Sequence, residues 1–75
     1  MRVRLLYFAV LRERAGSSEE LLDLPAGSTV NDAYTARFPD LGLPVGFARN
    51  GQICGPSTAL AEGDELALLP PLGGG

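Results

Sequence analysis

The 75-residue chain contains no lysine, histidine or tryptophan, and it has a single cysteine, Cys54. Without lysine, it offers no side-chain amine for a Schiff base or an isopeptide bond. Without histidine, no imidazole can lower the pKa of Cys54, so a persulfide or thioester relay is less favoured there than a half-buried apolar residue. One thiol forms no intramolecular disulfide, which fits a reducing compartment and predicts a cytoplasmic protein.

Positive charge and long hydrophobic runs are also scarce. The six basic residues are all arginines, and nine acidic residues bring the formal net charge to -3. Because no basic cluster accompanies an aromatic platform, we expect no nucleic-acid partner. The apolar run Leu5–Leu11 is short and is followed at once by Arg12-Glu13-Arg14, without a small-residue cleavage site. It therefore predicts neither a signal peptide nor a membrane segment.

The length allows one small domain, which buries roughly 60–65% of the surface that its unfolded chain exposes. Such a thin core leaves little room for an enclosed active site. The predicted order is strand, short helix, strand, helix, hairpin, strand, which is typical of an α+β fold. The predicted strands are Arg2–Phe8, Glu19–Leu24, the two arms of a hairpin over Phe47–Cys54, and Glu65–Leu69; the predicted helices are Ala9–Ala15 and Thr29–Phe38.

Local signals define several of these boundaries. Thr29 is a good N-cap, and Asp32 three residues later makes an Asp variant of the capping box. Asn50-Gly51 between two short apolar runs predicts a type I′ hairpin turn, which needs positive φ at both residues. The alternating apolar residues on both faces of Arg2–Phe8 predict a strand inside the sheet.

The last six residues, Pro70-Pro71-Leu72-Gly73-Gly74-Gly75, are unusual. Three consecutive glycines arise at a given site by chance roughly three times in ten thousand. The two prolines hold a chain extended, and glycines form a thread thin enough for a narrow channel in another protein. We therefore divide the chain into a domain, residues 1–69, and a tail, residues 70–75.

A carboxylate on such a thread suits activation by another protein. Adenylation by ATP makes the carboxylate of Gly75 an electrophile, and attack by sulfide or a persulfide then gives a thiocarboxylate. Attack by an amine gives an isopeptide conjugate instead. A frayed chain end without function is the plain alternative.

Three segments together resemble the small sulfur-carrier subunit of molybdopterin synthase and its relatives. They are the opening motif Leu6–Gly16, the hairpin Ala48–Gly51, and the segment Leu60–Gly75 with its Gly-Asp-Glu turn, apolar strand, Pro-Pro pair and terminal glycines. The resemblance implies a β-grasp, ubiquitin-like fold with a mixed sheet of about five strands, one main helix and a short helix.

The same resemblance implies function. Gly75 would be adenylated by a ubiquitin-activating-like enzyme, which uses ATP, while the carrier itself binds no cofactor or metal. Gly74 would complete the reactive terminal pair. The carrier would dock on the large synthase subunit, in a heterotetramer whose large subunits hold the catalytic side chains. Pro70, Pro71, Leu72 and Gly73 would line the docking thread.

The residues themselves predict a protein-binding patch of Phe8, Leu69 and Leu72, because an apolar strand leads straight into the tail. The alternative is that these are singly exposed apolar residues, which a small domain cannot avoid.

Two features depart from the family pattern. The segment Thr29–Pro39 is about one turn shorter than the family's main helix. The triple glycine is common in the related thiamine-pathway carrier, although Pro-Pro-Leu favours the molybdopterin branch. Other sulfur acceptors therefore stay open: thiamine thiazole, a tRNA base or an amino-acid pathway. A ubiquitin-like protein modifier and a plain interaction domain are further alternatives.

The remaining acidic residues have a simpler interpretation. Glu62, Asp64 and Glu65 could form a carboxylate pair or a metal site, but a solvated turn is more common for such a run. Docking to arginines of a partner is their functional alternative. Arg12 and Arg14 are expected on a solvated helix face.

Overall fold

The computed structural model describes residues 1–70. Its elements are β1 (Arg2–Tyr7), α1 (Ala9–Ala15), β2 (Glu19–Asp23), α2 (Val30–Arg37), β3 (Gly46–Arg49), β4 (Gln52–Cys54) and β5 (Glu65–Leu69). The five strands form one sheet in the order β2-β1-β5-β3-β4. Strands β1 and β5 are parallel, and the other neighbouring pairs are antiparallel. This is the β-grasp arrangement, so the predicted fold is confirmed.

Strand β1 lies between β2 and β5, as its two apolar faces predict. The strand ends one residue earlier than predicted, because Ala9 has a φ of 50° and turns the chain away after Phe8. A left-handed backbone at a residue with a Cβ costs about 1–2 kcal/mol. Packing therefore holds this corner: Leu11, two residues on, is fully buried against the sheet.

The predicted capping box begins α2. The hydroxyl of Thr29 accepts from the N–H of Asp32 at 3.2 Å, and the Asp32 carboxylate accepts from the N–H of Thr29 at 2.8 Å. The helix has eight residues, and Pro39 follows its end. Buried Val30 and Ala33 face the sheet at the expected helical spacing.

The hairpin between β3 and β4 has the predicted turn, with φ of 49° at Asn50 and 83° at Gly51. The Asn50 side chain also ties this turn to the start of β5. It donates to the Asp64 carboxylate at 3.0 Å and accepts from the N–H of Glu65 at 2.9 Å. These two bonds help to fix the register of β5, the strand that leads into the tail.

The core lies between the two helices and one face of the sheet. The central strands contribute side chains that are almost completely buried, and each buried leucine or valine stabilises the fold by roughly 1.5–3 kcal/mol. These residues are Val3, Leu5 and Tyr7 of β1 and Leu66 and Leu68 of β5.

A polar cluster joins three elements at the edge of this core. The Tyr7 hydroxyl donates to Glu20 at 2.7 Å, and the Arg37 guanidinium donates to the same carboxylate oxygen at 2.6 Å. These bonds, with that of Arg37 first, lower the pKa of Glu20. Burial, followed by the Glu20 contact, raises the pKa of Tyr7 far above its usual range. The cluster therefore fixes α2 and β2 on β1 without supplying a group that titrates near neutral pH.

Within residues 1–70, neither helix has the length or apolar content to cross a bilayer.

Candidate functional site

The candidate site lies on the open face of the sheet, which we define as the face turned away from α1 and α2. Strand alternation identifies this face. In β5, Leu66 and Leu68 enter the core, so Ala67 and Leu69 belong to the open face. In β4, Ile53 pairs with Ala48, while Cys54 pairs with the core residue Phe47; Ile53 therefore also belongs to the open face.

Apolar side chains on this face collect at one end. Leu6 pairs with Ala67, and Phe8 continues the extended backbone of β1 beside Leu69. The side chain of Phe8 is 44% exposed and that of Ile53 is 79% exposed. We call the following residues the tail-side patch: Leu6, Phe8, Ile53, Ala67 and Leu69.

The opposite end of the open face is charged. The guanidinium of Arg4 lies 3.9 Å from the carboxylates of both Glu19 and Glu65, and Arg2 contacts Asp23 at 2.9 Å. Exposed pairs of this kind contribute little to stability, because water screens their charges. These charged pairs mark where the tail-side patch ends, near the middle of the sheet.

The tail begins within this apolar surface. Because β1 and β5 are parallel, Phe8 and Leu69 reach the same end of the sheet, where Pro70 follows. The structure thus brings three of the predicted partner-binding residues together: Phe8, Leu69 and Pro70. The other predicted site residues, Pro71, Leu72, Gly73, Gly74 and Gly75, lie outside the described residues.

An apolar groove of about 490 Å³ adjoins the start of the tail. Strand β5 and the hairpin form its walls, and the loop before β3 closes one side. It is lined by Val45, Phe47, Ile53, Cys54, Leu69 and Pro70, among others. The groove and the tail-side patch share Ile53 and Leu69, so they form one continuous apolar surface.

The acidic turn before β5 has a structural role. The Asp64 carboxylate accepts from Asn50 and from the N–H of Ala61 at 2.8 Å, and these bonds, Asn50 first, lower the pKa of Asp64. Glu62 accepts from the N–H of Arg2 at 2.9 Å. Among the described residues, no three or more His, Cys, Asp or Glu side chains lie together in a way that could hold a metal ion. The hydrogen bonds of Asp64 and Glu62 agree with the predicted turn at residues 62–64.

Cys54 is a free, half-buried thiol that packs against the core, as its apolar interpretation predicts. Arg12 and Arg14 are exposed on α1, also as predicted.

Sequence reasoning did not identify Ile53 or the groove. The signal for Ile53 was present, because the predicted two-residue turn pairs Arg49 with Gln52 and therefore Ala48 with Ile53. With Phe47 in the core, this register places Ile53 on the open face. The groove had no comparable signal, since Val45 lies in a loop without periodicity.

Comparison with known proteins identifies a family model and several relatives that match this chain. Residues 5–75 match the model of the ThiS family. The molybdopterin synthase sulfur carrier subunit of Aedes aegypti is 39% identical over an alignment of 89 residues, which covers 100% of this chain and 90% of the relative. The subunit of the same name from Chlamydomonas reinhardtii is 37% identical, and both chains are covered completely.

A solved structure is also similar over the whole chain. The crystal structure of SAMP1, from Haloferax volcanii, has a TM-score of 0.81 and 31% identity, with 100% of both chains covered. The similarity of the two structures agrees with the β-grasp fold of this chain.

Proposed function

This chain belongs to the ThiS family, and on that premise we propose that it is a sulfur carrier that serves as the small subunit of a molybdopterin synthase. The two relatives that align with the whole of this chain are both named molybdopterin synthase sulfur carrier subunit. The observation that carries the proposal is the position of Leu69 and Pro70, where the tail begins, within an exposed apolar surface. A partner that covers this surface receives the tail at the same time.

The reactive group in the proposal is the carboxylate of Gly75. One of its oxygens attacks the α-phosphorus of ATP in an activating enzyme, and pyrophosphate leaves. A sulfide sulfur then attacks the acyl carbon, so that a C–S bond forms, the C–O bond to AMP breaks and AMP departs. Gly74 and Gly73 have no Cβ, which lets the tail enter a narrow channel. The carrier needs no bound cofactor for these steps.

The described residues support a division of labour. The pKa values that the fold shifts clearly, those of Glu20, Asp23, Asp64, Tyr7, Arg2 and Arg37, all move away from neutral pH. General acid–base catalysis works best with a pKa near the operating pH. In the proposal, catalytic side chains therefore belong to the activating enzyme and to the large synthase subunit.

Docking on the large subunit would use the tail-side patch, Pro70, and the tail residues Pro71, Leu72 and Gly73. Interfaces take most of their binding energy from a few buried aromatic and aliphatic anchors. Phe8 is the aromatic member of this surface. A heterotetramer with one carrier at each large subunit would deliver two sulfur atoms for the dithiolene of molybdopterin.

A second candidate function is a ubiquitin-like protein modifier. The likeness to SAMP1 over the complete chain favours it, since SAMP1 stands for small archaeal modifier protein 1. The two functions share the activation of Gly75 and differ in the nucleophile, which is sulfide in one and a lysine amine of another protein in the other.

Intact mass spectrometry distinguishes these functions. We expect the chain to be converted when it is incubated with ATP, sulfide and an enzyme that activates carriers of the ThiS family. Its mass should rise by the difference between sulfur and oxygen, since one oxygen of the Gly75 carboxylate is replaced by sulfur. The molybdopterin synthase assignment further requires that the product converts a precursor to molybdopterin when the large subunit is added. Amide-linked conjugates to other proteins, without the sulfur product, would contradict the carrier function and favour the modifier.

Replacing Phe8 by aspartate should weaken docking on the large subunit by about tenfold or more, the effect of 1.4 kcal/mol or more at an anchor. The fold should be retained, because Phe8 is exposed and outside the core. Leu21→Asp is the matched control, since Leu21 is 63% exposed but pairs with Arg4 in the charged part of the open face. Titration calorimetry measures both affinities; equal losses would exclude the tail-side patch as the docking surface.

A further inference from the structure

The supply of amines in this chain is unusually small. An activated carboxyl group forms a stable amide with any accessible neutral amine, and lysine is the usual source on a protein surface. The 75 residues contain none. Their remaining primary amine is the α-amino group of Met1.

The amino group of Met1 is held in the sheet. It donates to the carbonyl of Leu24 at 2.6 Å, and the N–H of Leu24 donates to the carbonyl of Met1 at 2.8 Å. These two bonds extend the β1–β2 ladder beyond the pair Arg2 and Asp23. Met1 is also half-buried and packs against the core. Before it could attack an acyl group, this amine would have to leave its place in the ladder.

Arginine occupies every basic position, and a guanidinium is a poor acyl acceptor because it stays protonated in proteins. Four arginines have defined contacts: Arg2 with Asp23, Arg4 with Glu19 and Glu65, Arg37 with Glu20, and Arg49 with the carbonyl of Ala59. These contacts partly explain why arginine stands at those four positions.

No contact of this kind explains why arginine stands at positions 12 and 14. Both are exposed on α1, and neither takes part in an ion pair or side-chain hydrogen bond identified among residues 1–70. Lysine and arginine have nearly equal helix propensity. The fold would therefore accept lysine at both positions, so the arginines there are not a requirement of stability.

From these observations we infer that the chain is an acyl donor that offers no free amine, so that its own copies do not accept the acyl group as a stable amide. The inference rests on the proposed activation of Gly75. Two copies of an activated carrier that carried lysines could react together: the amine nitrogen attacks the acyl carbon, a C–N bond forms, the C–O bond to AMP breaks, AMP leaves and the nitrogen releases a proton. In this chain, that side reaction is blocked, and a conjugate to another protein contains no carriers linked to one another.

The test compares the wild type with Arg12→Lys, Arg14→Lys and the neutral control Arg14→Gln. Each is incubated with the activating enzyme and ATP, without sulfide, and then treated with a thiol to remove thioesters at Cys54. We expect a species with the mass of two chains minus one water from the lysine variants. Wild type and Arg14→Gln should give none.

Release of pyrophosphate separates this inference from the proposed function. Amide-linked dimers of the wild type, or pyrophosphate release from both lysine variants without dimers, would overturn the inference. No release from any protein, including the wild type, would contradict the activation of Gly75 itself. Peptide mapping of the dimers should find the new bond at the introduced lysine.

Discussion

A chain that ends at Gly73 should lose thiocarboxylate formation completely while it keeps its fold. Removal of Gly74 and Gly75 withdraws the carboxylate by up to about 7 Å, at 3.3–3.6 Å for each residue. A misplacement of about 1 Å in a reacting group already costs roughly 10²-fold in rate. The truncated carboxylate should therefore stay out of reach of the adenylating site, and intact mass spectrometry should detect no sulfur product.

The fold should not change, because the described core residues all precede Pro70. Thermal unfolding of the truncated chain should match that of the full-length chain. Docking on the large subunit should persist in part through the tail-side patch, so the truncated chain should compete with the intact carrier. A truncated chain that gains sulfur at Gly73 would show that the length of the tail does not control activation.

Local signals in the sequence predicted most of the elements. Asn50-Gly51 predicted the hairpin because few residue pairs adopt positive φ twice in succession. Thr29 and Asp32 predicted the start of α2 because their reciprocal hydrogen bonds need only four residues. The prolines after Leu69 predicted the end of β5, since proline supplies no N–H for the ladder.

Features that depend on distant residues were beyond prediction from local signals. The left-handed Ala9 is opposed by its own Cβ, and only packing around Leu11 explains it. The Tyr7, Glu20 and Arg37 cluster joins three elements, and no sequence spacing connects them. The β-grasp fold was expected only from the family resemblance, because local patterns do not specify which strands pair.

Part of the candidate site was also predictable from the sequence. Phe8 and Leu69 were expected near each other, and the parallel register of β1 and β5 places them at one end of the sheet. The contribution of Ile53 required the hairpin register to be followed one pair further. The groove depends on how the loop around Val45 folds, which carries neither periodicity nor a cap.

Leu66→Ala should have the largest effect on stability. Leu66 is fully buried in β5, the central strand, where it pairs with Leu5 on one side and Arg49 on the other. Truncation of a buried leucine costs about 2–5 kcal/mol. A domain of this length has a total stability of roughly 4–11 kcal/mol. The variant should therefore lose a large part of its free energy of unfolding.

Urea denaturation provides the measurement, with Leu21→Ala as the matched control. Leu21 undergoes the same truncation at a site that is 63% exposed, so its free energy of unfolding should change by about 0.5 kcal/mol or less. With a slope of about 1–3 kcal/mol per molar urea, Leu66→Ala should lower the midpoint by roughly 1 M or more. Equal shifts for the two variants would contradict the assignment of Leu66 to the core.

The same variant separates the fold from the chemistry of the tail. Leu66→Ala leaves Gly75 intact, so its loss of sulfur transfer should follow the unfolded fraction. Osmolytes such as sucrose favour the compact state and should restore its activity. The chain that ends at Gly73 should gain nothing from the osmolyte, because it is already folded. A Leu66→Ala protein that stays inactive when fully refolded would instead mean that β5 has a role in transfer beyond carrying the tail.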